Sequence, residues 1–277
     1  LRLIGADFHP LNDLRGHFRP YILGVATGTA LALSYWIRPT NLVLAFLAIA
    51  LLSLRQRRAI PPVLSGMLGA HLIMIGLNLV LLGVALPPYF KGSRLELHDQ
   101  YLQAVAGNLI SPARGLFIFS PFLLGALLLL MPSRWRLLDR NMRSYTLISL
   151  AGVGAYLLAV SGFAESWWAG ISYGPRFMSE SVVLMAPLAL AGIFGPRIIS
   201  GRRPALGYCV ALAAIAFSMV THGSGAQING VMCWGDRGRD NYPSRVWDWS
   251  DPQFLEGPDL LIHDGLSNSM NASCPKT

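Results

Sequence analysis

Apolar residues in this chain are gathered into long runs broken by short polar segments. The runs cover residues 20–37, 40–54, 61–87, 115–132, 145–163, 179–196 and 205–221. Roughly 17 to 25 apolar residues are needed for a helix to cross a bilayer. In hydrocarbon every backbone amide must find its partner within the chain, which leaves the helix as the natural state of such runs. The pattern predicts an all-α, polytopic transmembrane helical bundle of about seven spans. Pro39, in the Arg38-Pro39-Thr40 link, lacks the amide hydrogen that would continue a helix, so the first two runs form a tight helical hairpin with Arg38 at a membrane boundary. The second run is short and is expected to cross with little tilt or beside a thinned part of the bundle.

Composition strengthens this reading. Hydrophobic residues make up 53% of the chain and charged residues 13%, about half the charge with which a soluble domain covers its surface; mean hydropathy is +0.47. The net charge of +8 would suggest nucleic acid in a soluble protein. Here the arginines sit in short loops between apolar runs, where they set topology instead, and no nucleic-acid partner is expected.

The loops after the second, fourth and sixth runs carry Arg55, Arg57 and Arg58, then Arg134, Arg136, Arg140 and Arg143, then Arg197, Arg202 and Arg203. This bias places them in the cytoplasm. The alternate loops mix Arg38, Lys91, Arg94, Arg114 and Arg176 with acids, His, Trp and Tyr, and face outward. The expected organisation is a cytoplasmic segment 1–19, a membrane domain 20–221 and a loop-rich extracytoplasmic tail 222–277, in a bacterial inner membrane. The opening at Leu1, with no signal-peptide pattern behind it, suggests a fragment or a processed product. In the tail, Trp247 and Trp249 read as interfacial anchors. Cys209 reads as a packing residue, and a bridge between Cys233 and Cys274 is open if the tail is extracytoplasmic.

Candidate chemistry lies in two outward loops. In 91–114, a short interfacial helix is expected, with Leu95, Leu97, Leu102 and Val105 toward the apolar side. His98 and Asp99 are adjacent there, and sequence neighbours do not face each other on a helix; both are secondary candidates. The loop 165–180 is richer. Its glycines and Pro175 impose a turn, Trp167, Trp168 and Tyr173 offer flat surfaces at headgroup depth, and Arg176 supplies a planar fork suited to phosphate. The alternative is that Arg176 pairs locally with Glu180, four residues on; Glu165 and Glu180 are further secondary candidates. Within the third run, His71 and Asn78 are expected to hydrogen-bond between helices. No Asp, Glu or Lys lies in the middle of a run, which weighs against an ion-coupled transporter. No Walker loop, HExxH, CxxC or GxSxG element is present. No cofactor is called for, and a divalent metal is left open.

The order of WIRPTN, LNLVLLGVALPPYF, SPARGLFIFSPFLL, ESWWAGISYGPRFMSES and RVWDWSDPQF resembles bacterial polytopic glycosyltransferases of the GT-C type, over about four-fifths of the chain. The resemblance implies inverting transfer of a sugar from a polyprenyl-phosphate donor to an acceptor on the outer face. It also implies membrane lipid and the lipid-linked sugar as partners. In such an enzyme Arg176 and Arg38 would hold the donor phosphate, Tyr173 would donate a hydrogen bond, and Trp167 or Trp168 would pack on the prenyl chain or sugar. Members of this type carry their acidic catalytic residue on an outer loop nearer the amino terminus than anything present here, so the general base is unknown. A polyprenyl-lipid flippase or carrier, and a structural membrane subunit docking through its tail, are the alternatives.

Overall fold

A computed structural model describes residues 10–87, 90, 96–163, 166–170, 172–200, 205–227, 231–236 and 244–256, and among them the side chains of 20–195, 207–227, 231, 233, 234 and 244–256. The described residues are helical, with no sheet among them, and fall into two compact units, 1–91 and 92–277. Five helices are long and apolar enough to cross a membrane: Pro20–Ile37, Arg57–Leu82, Arg140–Ser161, Arg176–Gly195 and Gly207–Gln227. This is consistent with an integral membrane protein.

The first unit holds α1 (Pro10–Ile37), α2 (Leu42–Arg55) and α3 (Ile60–Leu82). The link at Arg38 is extended, and the turn closes through a 3-10 helix, Pro39–Asn41, in which Asn41 Nδ2 donates to the Ser34 carbonyl at 3.1 Å. α1 and α3 touch through backbone. Gly24, Gly28 and Ala32 form a buried stripe four residues apart on α1, facing Pro62, Val63, Gly66 and Ala70 on α3. A Cβ on Gly28 would lie 1.9 Å from the Val63 carbonyl oxygen, and one on Gly66 would lie 2.2 Å from that of Val25. Small residues at this spacing let helix backbones approach closely enough for dispersion to hold them without a water-driven core. α3 stops at Gly83, which takes a left-handed φ of 70°, rather than running on to residue 87 as its hydropathy predicts. The chain reverses there, and Asn78 reaches along it to the Ala85 carbonyl, 3.5 Å away. The expected interhelical bond from Asn78 is thus replaced by a local one, and His71 stacks on Tyr35 of α1 at 5.4 Å.

The second unit contains α4 (Tyr101–Ile110), α5 (Leu116–Phe119), a 3-10 segment (Pro121–Leu130), α6 (Pro132–Trp135), α7 (Arg140–Ser161), α8 (Ser179–Ser200), α9 (Ala205–Gln227) and α10 (Val231–Asp236). The run 115–132 is not one α-helix. Ser120 leaves helical geometry and Pro121 cannot donate an amide hydrogen, so the chain resumes as a 3-10 helix. That segment packs on α8 where Gly192 abuts Gly125: a Cβ on Gly192 would sit 2.0 Å from the Gly125 oxygen. Asp139 caps α7 by accepting from the Met142 amide at 2.7 Å. α9 continues six residues past the expected end at 221. Its polar turn stays helical because Ser218, Thr221 and Ser224 donate to carbonyls three or four residues back, so no hydroxyl is stranded in the apolar phase.

The described part of the tail is built into this unit. Trp234 of α10 and Val246 are fully buried with Ala104, Ala113 and Trp167, and Trp168 and Trp247 close the cluster. Trp247 packs against this cluster while half-buried, whereas Trp249 is exposed. Cys233 is disulfide-bonded and Cys209 is a free thiol; Cys274 lies outside the described residues.

Candidate functional site

The loop joining α7 to α8 is held in shape by a residue whose position between two apolar runs gave it no special prominence. Arg114 is 1% exposed. Its Nε donates to the Trp168 carbonyl at 2.5 Å and its terminal nitrogens to the carbonyls of Gly170 at 3.0 Å and Ala113 at 2.8 Å. It also donates to Oε1 of Gln253. The Gln253 side chain then pairs with the loop as a strand would, accepting from the Gly174 amide at 3.0 Å and donating to the Ser172 carbonyl at 2.9 Å. A buried cation is tolerated when its donors are satisfied, and here they organise three separate stretches of chain. The Trp234 ring adds a cation–π contact to Arg114, 5.8 Å from its centroid. Arg245 also stands over this ring, 4.3 Å from its centroid, and is bridged to Asp251 at 2.8 Å. Nearby Asp248 is exposed, and the hydroxyl and amide of Ser250 hold its carboxyl below the usual range.

Between the two carbonyls gripped by Arg114 lies Ala169, whose φ of 65° is left-handed, followed by Gly170 at 62°. A side chain in that region costs about 1–2 kcal/mol, and the guanidinium contacts on either side offset it. Gly174, also at 62°, packs against the Phe119 ring, 3.1 Å from where a Cβ would stand. Glycine is required there both for the turn and for room.

Tyr173 ties the loop to α9. Its hydroxyl donates to the Thr221 carbonyl at 2.9 Å, its ring stands edge-on to Phe119, and Gly225 of α9 leaves room for the ring. Burial pushes the phenol up to about 12, opposed by a hydrogen bond with Ser224 and reinforced by the charge of Glu256. The hydroxyl is thus neutral, and in the fold its proton is donated to the Thr221 carbonyl. Trp167, 0% exposed, offers no surface to a prenyl chain or sugar; Trp168, perpendicular to it at 5.7 Å, is half-buried.

Arg176 follows this fixed loop in a single 3-10 turn, Arg176–Met178, with an exposed side chain. Its backbone is anchored on both sides, since its amide donates to the Gly174 carbonyl at 2.8 Å and its own carbonyl accepts from Ser179 at 2.9 Å. Glu180 begins α8 half-buried, its Oε2 accepting from Tyr156 at 2.8 Å and from Ser179 at 3.0 Å. His98 is half-buried, with Nε2 3.0 Å from the Ser161 carbonyl at the end of α7. Tyr101 and Asn108 bind the same end through Leu158 and Ser161. Asp99 is exposed in the turn before α4, Leu97 is exposed ahead of that helix and Leu102 is exposed on it. Arg38 belongs to the first unit, half-exposed at the α1–α2 turn, and Glu165 lies outside the described residues. Among the described residues no group of three His, Cys, Asp or Glu side chains is placed to hold a metal ion.

The site is therefore an exposed arginine on a loop fixed from below by Arg114, Gln253 and Tyr173. No family model matches the chain, and neither characterised proteins nor solved structures give a significant match.

Proposed function

We propose that this chain is part of a membrane glycosyltransferase of the GT-C type, and that Arg176 binds the phosphate of a polyprenyl-phosphate sugar on the outer face. In this reading the chain crosses a bacterial inner membrane seven times, with its amino terminus cytoplasmic and its tail outside. The two further crossings are the shorter apolar helices Pro39–Arg55 and Pro121–Leu130. A 3-10 helix rises about 2.0 Å per residue, so its ten residues extend roughly 20 Å, and α5 adds roughly 6 Å. Together they approach the ~30 Å of the hydrocarbon core.

The observation that carries the proposal is the contrast between the exposed head of Arg176 and the fixed backbone on both sides of it. A cation meant to stabilise a departing phosphate must be in place before charge develops. In the reaction the acceptor oxygen attacks the anomeric carbon, the bond from that carbon to the phosphate oxygen breaks, and the acceptor's proton passes to a base. Arg176 would stabilise the released phosphate. No residue is assigned as the base.

In membranes carrying the full-length protein and a radiolabelled polyprenyl-phosphate sugar, Arg176→Ala should leave expression intact and reduce transfer at least a hundredfold, about 3 kcal/mol of lost charge stabilisation. Undiminished transfer would refute the assignment. Transfer that persists while the sidedness of the lipid changes would identify a carrier.

A further inference from the structure

Beside the hydrogen bonds that hold the Arg176 loop, the second unit carries a covalent one. Cys233 is disulfide-bonded and 7% exposed. It stands in the six-residue α10, immediately before Trp234. The chain has three cysteines and Cys209 is a free thiol, which leaves Cys274 as the partner within the chain. We propose that oxidation of Cys233 with Cys274, on the outer side of the membrane, is a maturation step that fixes the loop presenting Arg176.

Attachment is the first argument. α10 is far shorter than the roughly 12–15 residues at which an isolated helix becomes marginal in water, so it depends on what it is tied to. One tie is Trp234, fully buried, whose Nε1 donates to the Asp251 carbonyl at 2.9 Å. Its ring centroid lies 5.8 Å from Arg114 Cζ and 4.3 Å from Arg245 Cζ. Arg114 in turn holds the carbonyls of Trp168 and Gly170 and the side chain of Gln253. Gln253 binds Ser172 and Gly174, and the Gly174 carbonyl accepts from the Arg176 amide at 2.8 Å. The bonded sulfur thus adjoins the indole on which this chain of contacts rests, and a cross-link there removes open conformations of the tail from competition.

Redox chemistry is the second argument. Disulfides form and persist in oxidising compartments, while cytosolic thiols are kept reduced. α10 follows the end of α9 at which Tyr173 donates to the Thr221 carbonyl, so the loop and Cys233 lie on one side of the membrane. Loop arginines place that side outward, and the bonded cysteine reaches the same side without reference to them. The inference rests on that outward reading, because a cytosolic α10 would keep its thiol.

The step is thiol–disulfide exchange. Two electrons and two protons pass from the Cys233 and Cys274 thiols to a disulfide-bearing oxidant, one S–S bond forms in this chain, and the oxidant is left as a dithiol. Before it, α10 is held by hydrogen bonds and ring contacts alone, and the loop opens more often. After it, Arg114 and Gln253 keep their partners within reach.

The test uses the purified full-length protein in nanodiscs. Non-reducing peptide mapping should recover the segments bearing Cys233 and Cys274 as one species that dithiothreitol separates, with Cys209 alkylated in either case. Cys233→Ser and Cys274→Ser should each speed tryptic cleavage after Arg176 about tenfold, since cleavage needs the loop to open. Reducing the folded wild-type protein should bring it to the same rate, which keeps the proposal readable if a serine form fails to fold. Dithiothreitol should leave the rate of Cys233→Ser unchanged. Cys233 recovered as a free thiol, or a cleavage rate indifferent to opening the bond, would overturn the proposal. Cleavage is read without any lipid-linked sugar, so an Arg176 that binds no phosphate leaves this result as it stands.

Discussion

Both units of this chain bring helices together at glycine, but the second adds a buried polar network that the first lacks among the described residues. In the first, only 17% of each long apolar window is buried, and the helices are joined through glycine and alanine at backbone distance. In the second, the windows of α7 and α8 are 44% and 39% buried, and the core includes an arginine, a glutamine, serines and threonines together with indole rings. A pair of helices that need only stay adjacent in lipid can rely on close approach. A loop that must hold one conformation above the helices needs directional bonds, and polar groups are the only source of them. In the proposed reading it is the second unit that carries the phosphate-binding arginine.

The comparison can be broken most severely at Arg114. Replacing it with Ala leaves the carbonyls of Trp168 and Gly170 and the amide of Gln253 without their buried donor, and the second unit should lose about 3–5 kcal/mol. Chemical unfolding in detergent, followed by tryptophan fluorescence, measures this; a loss below about 1 kcal/mol would mean the network is ornamental. Gly28→Leu attacks the first unit instead. Its Cβ has no space against Val63, so α1 and α3 must separate, at a cost of about 1–3 kcal/mol. Cross-linking between cysteines placed on the two helices should fall, while the second unit stays folded. The smallest effect has the opposite sign. Ala169→Gly relieves a left-handed alanine and should stabilise the loop by about 1 kcal/mol, read as a rise in the unfolding midpoint.

Much of the helical pattern was legible because hydropathy and loop charge are local properties. The turn at Pro39 and the short helix within 91–114 follow from a few neighbouring residues. Helix ends were less legible. The polar residues Thr221, His222 and Ser224 imply an exit from the membrane, yet the hydroxyls bond back into α9 and the helix continues. The break at Ser120 carried a signal in Pro121, obscured by the leucines that follow. The Gly24-x-x-x-Gly28 spacing was available too and marks the α1–α3 contact. The site was less accessible still. Loop 165–180 announced itself by its glycines and aromatics, but its support did not. Arg114 and Gln253 stand 139 residues apart, and nothing at either position reveals that they meet. Trp167 and Tyr173 have the side chains of ligand-binding residues, and only their burial assigns them to packing and attachment.

The central claim is that Arg176 is presented to an anionic lipid head at the outer surface by a fixed loop. Arg176→Cys, combined with Cys209→Ala so that the added thiol is the reactive one, can be probed in sealed vesicles of either orientation with a membrane-impermeant maleimide. The account predicts labelling from the outer face. Labelling confined to the cytoplasmic face would contradict it.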